Sequence, residues 1–269
     1  MHCDPCECLD KPSESDGLST DSDTIFSMSS VKLDYNPLAK IRLPKAQNRI
    51  ELIKSVCVGK SILDIGCLDE TAFELKARTG YWLHEEIAVV AQSIIGLDNS
   101  SILKSGSIDT GFSQIQYQDI YQMKQSDFIN AEVIVMGELI EHLTDPYSVL
   151  LHVVNEFPQC SIVLSTPNAT GITNVLGAVL SRESNHPDHV AIYSYKTLST
   201  LISRIPNVQF EIKPYLTVYY EAILRTKGFK RLLIKTLNFF VNRIEGIRPL
   251  YSAGYVVVIT PQKSQRLDL

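Results

Sequence analysis

Five short apolar runs constrain this chain most: Ser61–Ile65 (SILDI), Ser93–Leu97 (SIIGL), Ile115–Tyr117, Val133–Met136 (VIVM) and Ser161–Ser165 (SIVLS). They are rich in Val and Ile and mostly continuous in apolarity instead of alternating, which marks strands buried on both faces, and such strands belong to a parallel sheet. Helical patterns over 70–91, 100–107 and 146–157 separate them, and Asp145-Pro146 supplies an N-cap followed by a helix-starting proline. A short helix led by Pro44 precedes the first run, its rhythm carried by Ile50, Ile53, Lys54 and Val56. A helix around Ser194–Ser203, a strand at Val208–Lys213 and a last strand at Gly254–Thr260 (GYVVVIT) complete a doubly wound, seven-stranded α/β fold.

Residues 10–30 are dominated by Ser, Asp and Thr, with too little apolar surface to offset the entropy of ordering. Residues 1–40 are therefore expected to be an acidic, disordered tail, and 41–269 the folded domain. Residues 1–23 hold seven acids against one base, so the net charge of −5 leaves the remainder near +1. That balance disfavours a nucleic-acid partner, although not a local basic patch. No apolar run reaches the roughly 20 residues that span a bilayer, and the acidic start is unlike a secretion signal; a cytoplasmic protein is expected. Cys57, Cys67 and Cys160 read as reduced core residues. His2, Cys3, Cys6 and Cys8 offer a set of soft metal ligands, but lack a second ligand pair and an apolar sequence to fold upon an ion.

In doubly wound folds, ligands bind outside the carboxyl ends of the strands. The first strand ends in Leu63-Asp64-Ile65-Gly66-Cys67-Leu68. A pyrophosphate-linked dinucleotide would want glycines where Leu68 and Thr71 stand, and Asp64 would repel a phosphate while attracting a cationic amino group. Asp98 closes the next strand and can accept from both hydroxyls of a ribose. Asp119 ends the third and can accept from an adenine amino group, with Ile120 against the ring. Each acid alone also fits a turn or helix cap. Glu138, Glu141 and His142 follow the VIVM run; on a helix they would share one face, with chemistry suited to a divalent ion. His189, or His186, is the downstream candidate to join them. Without a metal, His142 suits a general base. Asn168, beyond the fifth run, is either a substrate contact or a turn residue.

ILDIGC at 62–67, IIGLD at 94–98, YQDI at 117–120, VIVMGELIEHLTDP at 133–146 and SIVLSTPN at 161–168 together resemble the class I S-adenosylmethionine-dependent methyltransferases, over roughly residues 45–260. Trp82–Ile87 (WLHEEI) looks like a sub-group of bacterial members. The resemblance implies a Rossmann-like, mostly parallel sheet with an antiparallel last strand. It also implies S-adenosylmethionine contacts at Asp64, Gly66, Cys67, Asp98, Asp119, Ile120 and Gly137. The E-x-x-E-H element is similar to that of ubiquinone-pathway and small-RNA O-methyltransferases, where it is associated with a magnesium-type metal. That implies Mg2+ or another divalent ion at Glu138, Glu141, His142 and His189, with His142 and Glu141 as the catalytic pair. Two departures stand out: Leu68 replaces the usual second glycine, and the interval from Asp64 to Asp98 is long.

The function expected is O-methylation of a small-molecule or glycan-type acceptor. Metal-dependent 2′-O-methylation of RNA and a non-catalytic cofactor-binding role remain the alternatives. Segment 196–250 carries ten bases and three acids. Its Phe229–Ile244 stretch reads as a basic amphipathic helix: an ordinary packed helix, a lid within an insertion around 215–250, or a surface for anionic or lipid-like substrates.

Overall fold

The computed structural model describes residues 39–68, 73, 76, 79–183 and 185–262. The chain divides into two units, Met1–Lys40 and Ile41–Leu269. The expected tail and the His2, Cys3, Cys6 and Cys8 set lie outside the described residues, as does much of the helix expected over 70–91.

Eight strands form one sheet: β1 (Ser61–Ile65), β2 (Ser93–Asp98), β3 (Ile108–Asp109), β4 (Gln114–Tyr117), β5 (Val133–Gly137), β6 (Ser161–Pro167), β7 (Val208–Tyr215) and β8 (Gly254–Pro261). Their order is β3-β4-β2-β1-β5-β6-β8-β7. The five strands from β4 to β6 run parallel, whereas β8 is antiparallel to both β6 and β7. The expected seven strands are present. The eighth, β3, pairs antiparallel with β4 over two residues and is too short to carry a hydrophobic pattern.

Seven helices are described: α1 (Arg49–Cys57), α2 (Leu83–Ala88), α3 (Pro146–Glu156), α4 (Ile172–Val179), α5 (Tyr195–Ser203), α6 (Tyr220–Arg225) and α7 (Gly228–Ile247). The continuous apolar runs are explained by two covered faces. On β5, Val133 and Val135 face Ile53 and Cys57 of α1 and Ile87 of α2. Ile134 and Met136, alternating with them, face Val149, Val153 and Phe157 of the α3 side and Leu198 and Ile202 of α5. At about 25 cal/mol per Å2 of apolar surface removed from water, these layers are the main source of stability.

Two local expectations change and a third holds. The first helix begins at Arg49, capped by Asn48, whose side chain accepts from the Glu51 amide at 3.1 Å; Pro44 precedes the helix because Gln47 is bridged to Tyr215. The 100–107 stretch is a 3-10 turn, Ser101–Ser105, with Ser100 as its cap. Asp145 and Pro146 do start α3, the Asp145 carboxylate accepting from the Ser148 amide at 3.0 Å.

Candidate functional site

The carboxyl ends of β1, β2 and β5 open into one cavity of about 610 Å3. Asp64, Gly66, Cys67, Leu68, Asp98, Gly137, Glu138, His142 and His189 all line it. Gly66 leaves β1 with φ +70°, and a Cβ there would lie 2.8 Å from Leu139 Cδ1, so the turn both requires and hides a glycine. Asp98 is buried, its two oxygens accepting from the Leu68 and Ser100 amides at 2.9 Å each. Those bonds fix the carboxylate, a group type that can accept from ligand hydroxyls. Leu68, where a glycine was expected, contributes its backbone N–H here and buries its side chain.

The long interval between Asp64 and Asp98 serves a buried histidine. His84 Nδ1 lies 2.9 Å from Asp64 Oδ2, and its Nε2 lies 2.6 Å from Ser113 Oγ. Trp82 lies tilted beside this imidazole, ring centroids 5.3 Å apart, and donates its indole N–H to the Cys67 carbonyl at 3.0 Å. The WLHEEI stretch thus forms the cavity floor and holds one Asp64 oxygen in place. Burial pushes the Cys67 thiol far above its usual range, which leaves it an inert wall residue.

Asp119 and Ile120 are not brought to the cavity. Asp119 caps the 3-10 turn Ile120–Gln122, accepting from the Tyr121 amide at 3.0 Å and from Gln122 Nε2 at 3.3 Å. Asn168 is likewise a turn organiser: fully buried, it donates to the Leu250 and Ser252 carbonyls and accepts from the Thr170 amide.

The Glu138–His142 element is not one helical face. Glu138 adopts φ +57°, uncommon for a residue with a Cβ, and only Ile140–His142 form a 3-10 turn. This sends Glu138 one way and Glu141 another. Glu138 pairs with Arg49 at 2.7 Å and accepts from the Tyr215 hydroxyl at 2.9 Å. Burial opposes its ionisation, but the Arg49 charge and the Tyr215 hydrogen bond hold its carboxyl below the usual range. Tyr215 reaches this position because Gly254 stands opposite it in the β7–β8 ladder; a Cβ at 254 would collide with the ring.

Glu141 turns inward and is fully buried, with neither oxygen in a well-formed hydrogen bond, although the Thr166 hydroxyl lies close enough to favour its ionised form. Burial, then the Glu138 charge, pushes its pKa up to about 8. Its backbone carbonyl accepts from the Val190 and Ala191 amides, which pins the 186–191 loop against the turn. His189 consequently stands 4.7 Å from His142 between ring centroids, with His186 at 6.2 Å from His142. Ligand atoms of Glu141, His142 and His189 all lie within 4.8 Å of one another. His189 Nδ1 is buried without a partner, and burial together with the neighbouring His142 and His186 lowers its pKa. A buried carboxylate without a well-formed hydrogen bond, an unpartnered buried imidazole nitrogen and a second, exposed imidazole fit a divalent cation, since the two buried groups otherwise bear an uncompensated desolvation cost.

Arg49, Tyr215 and His84 carry much of this geometry and were not among the sequence-based candidates. His84 lies in the recognisable WLHEEI stretch, which gave it no role; Arg49 and Tyr215 meet Glu138 only through the tertiary fold.

No sequence model of a known family matches the chain, and no curated protein sequence matches it. Among solved structures, the small RNA methyltransferase HEN1 aligns over 84% of this chain at 14% identity, with a TM-score of 0.50. The chain spans only 27% of that HEN1 chain. A SAM-dependent methyltransferase from Archaeoglobus fulgidus aligns over 79% of this chain and 94% of its own at 15% identity and a TM-score of 0.40. The plantazolicin methyltransferase BamL aligns over 80% and 85%, respectively, at 12% identity and 0.44. The likeness is one of fold: a Rossmann-like methyltransferase sheet, mostly parallel with antiparallel strands at its C-terminal end.

Proposed function

We propose that this chain binds S-adenosylmethionine across the ends of β1, β2 and β5 and transfers its methyl group to an oxygen of a small-molecule or glycan-type acceptor. The observation that carries this reading is that Asp64, Gly66 and Asp98 share one cavity with His142 and His189. A carboxylate at Asp64 suits the cofactor's amino group, and Asp98 suits its ribose hydroxyls. Gly66 lets the cofactor approach bare backbone.

Transfer is an in-line displacement: the acceptor oxygen forms a bond to the methyl carbon, the carbon–sulfur bond breaks, and its electron pair neutralises the sulfonium. The acceptor's proton must leave, and without a metal the exposed His142 on the cavity wall would accept it. Arg49 and Tyr215 hold Glu138 ionised at the same wall. Glu141, His142 and His189 would hold a divalent cation, which when bound lowers the pKa of a hydroxyl in contact with it.

Calorimetry with S-adenosylmethionine tests the first step: binding is expected, with Asp98→Ala weakening it at least tenfold. Absence of binding at millimolar cofactor would overturn the reading. Labelled methyl transfer to a broad acceptor panel tests the second, and cofactor binding with no product from any acceptor would favour a non-catalytic protein.

The Glu141, His142 and His189 cluster favours a second reading, metal-dependent methylation of an RNA 2′-hydroxyl. Methylation of a short RNA, lost when its terminal nucleotide is 2′-deoxy and lost again in EDTA, is the result that reading requires. RNA affinity that does not fall with added salt would count against it.

A further inference from the structure

α7 turns its most continuous apolar stripe away from the protein. Phe229, Leu233, Leu237, Phe240, Ile244 and Ile247 recur at intervals of three and four residues, so they line one side of the helix over about 27 Å. Each is between 41% and 78% exposed. The side that packs is another one, about 120° around the helix. There Val241 is buried, and Glu245 accepts from the Thr217 amide at 2.8 Å and its hydroxyl at 2.5 Å. Two turns before Glu245, Asn238 accepts from the Tyr219 amide at 2.9 Å. A helix fastened by these polar bonds is held with its apolar stripe outward.

The charges identify the occupant. Between residues 227 and 248 there are six bases, Lys227, Lys230, Arg231, Lys235, Arg243 and Arg248, all exposed, and one acid, the buried Glu245. Lys230 and Arg243 flank the stripe on its two sides by helical position. Stripe-to-stripe pairing of two copies would set these bases against bases, with no exposed acid on the helix to meet them. RNA would satisfy the bases and leave three phenylalanines, Phe229, Phe239 and Phe240, with the stripe's aliphatic groups, in water. An anionic bilayer satisfies both: apolar groups enter the acyl boundary while the flanking bases reach the headgroups. No described helix is long and apolar enough to cross a membrane, so such a helix lies on the surface.

We propose that α7 docks this chain on anionic lipid surfaces, parallel to the bilayer. α6 immediately precedes α7, and its Tyr220 and Glu221 form part of the cavity rim. Docking therefore places that rim beside the membrane, which suits an acceptor carried on a lipid. The docking inference itself does not rest on the cofactor reading.

The test is co-sedimentation of the full chain with phosphatidylcholine vesicles, with and without about one third phosphatidylglycerol. Binding to the anionic vesicles is expected, at least tenfold stronger than to phosphatidylcholine alone. Leu233→Ser with Phe240→Ser should weaken it about tenfold or more, while circular dichroism and S-adenosylmethionine affinity stay unchanged. Lys230→Glu with Arg243→Glu should weaken it comparably and flatten its salt dependence. Failure to bind anionic vesicles would overturn the proposal, as would binding indifferent to both double variants. A concentration-dependent dimer abolished by the serine variant, without vesicle binding, would assign the stripe to a second copy. RNA binding lost only in the charge-reversal variant, again without vesicle binding, would assign the bases to nucleic acid.

Discussion

Gly66 concentrates the constraint on the cavity into one backbone angle. At φ +70°, with Leu139 Cδ1 2.8 Å from where a Cβ would sit, Gly66→Ala meets both strain and a clash. The substitution is expected to cost about 1–3 kcal/mol of stability and to weaken S-adenosylmethionine binding more than tenfold; thermal melts and calorimetry check the two separately. His84 invites a different test. Because it holds an oxygen of Asp64 at 2.9 Å, His84→Asn should impair cofactor affinity while preserving the fold, and an unchanged affinity would reduce the imidazole to floor packing. Strand-end logic pointed to Asp64 and Asp98 from the sequence, and the parallel sheet brings both to one cavity. The same logic named Asp119, which caps the turn that follows β4 and does not line that cavity: position at a strand end does not say into which space a carboxylate opens. Arg49 and Tyr215 lay beyond it, since nothing local to either residue announces a partner at Glu138.

At the scale of elements, the strands were the most legible part because two covered faces leave an unambiguous apolar signature, whereas the turn after β5 was the least. An i, i+3, i+4 spacing reads as one helical face only if the helix starts before its first member. Glu138 sits in the left-handed region, so the spacing separates it from Glu141 and His142 instead of uniting them. α7 was legible as a basic amphipathic helix, but not which of its faces packs, because that is decided by Asn238, Val241 and Glu245 meeting the 217–219 segment. Burial raises the Glu245 pKa against the lowering effect of the Thr217 bonds. The folded protein therefore binds more protons here than the unfolded chain at pH values between the ordinary carboxylate pKa and the raised one. Stability at this position is full below that window and declines as pH rises through it. Glu245→Gln keeps an acceptor for the Thr217 amide and removes the titration, so its melting temperature should fall less steeply from pH 5 upward than the parent's. Parallel slopes in the two proteins would refute the assignment.

For the whole molecule, one cavity is proposed to hold two kinds of ligand by different residues, and linkage makes their independence measurable. A ligand that binds only the folded state stabilises it by about 2.7 kcal/mol at a hundred times its dissociation constant. For a domain of this size that corresponds to a rise in melting temperature of roughly 5–10 °C. S-adenosylhomocysteine should produce such a shift in EDTA, because Asp64, Gly66 and Asp98 need no cation. Mn2+ should produce its own shift without cofactor, carried by Glu141, His142 and His189. Asp98→Ala should cut the first by about half or more and leave the second unchanged, and His189→Ala should do the reverse. The shifts should then add when both ligands are present, unless the cofactor itself touches the cation. A Mn2+ shift that persists in Glu141→Gln with His189→Ala would place the cation elsewhere, and the buried Glu141 would then be a neutral carboxylic acid whose raised pKa keeps it protonated at pH 7. A cofactor shift undiminished in Asp98→Ala would remove the ribose assignment, and with it the geometric basis for reading the ends of β1 and β2 as a nucleoside site.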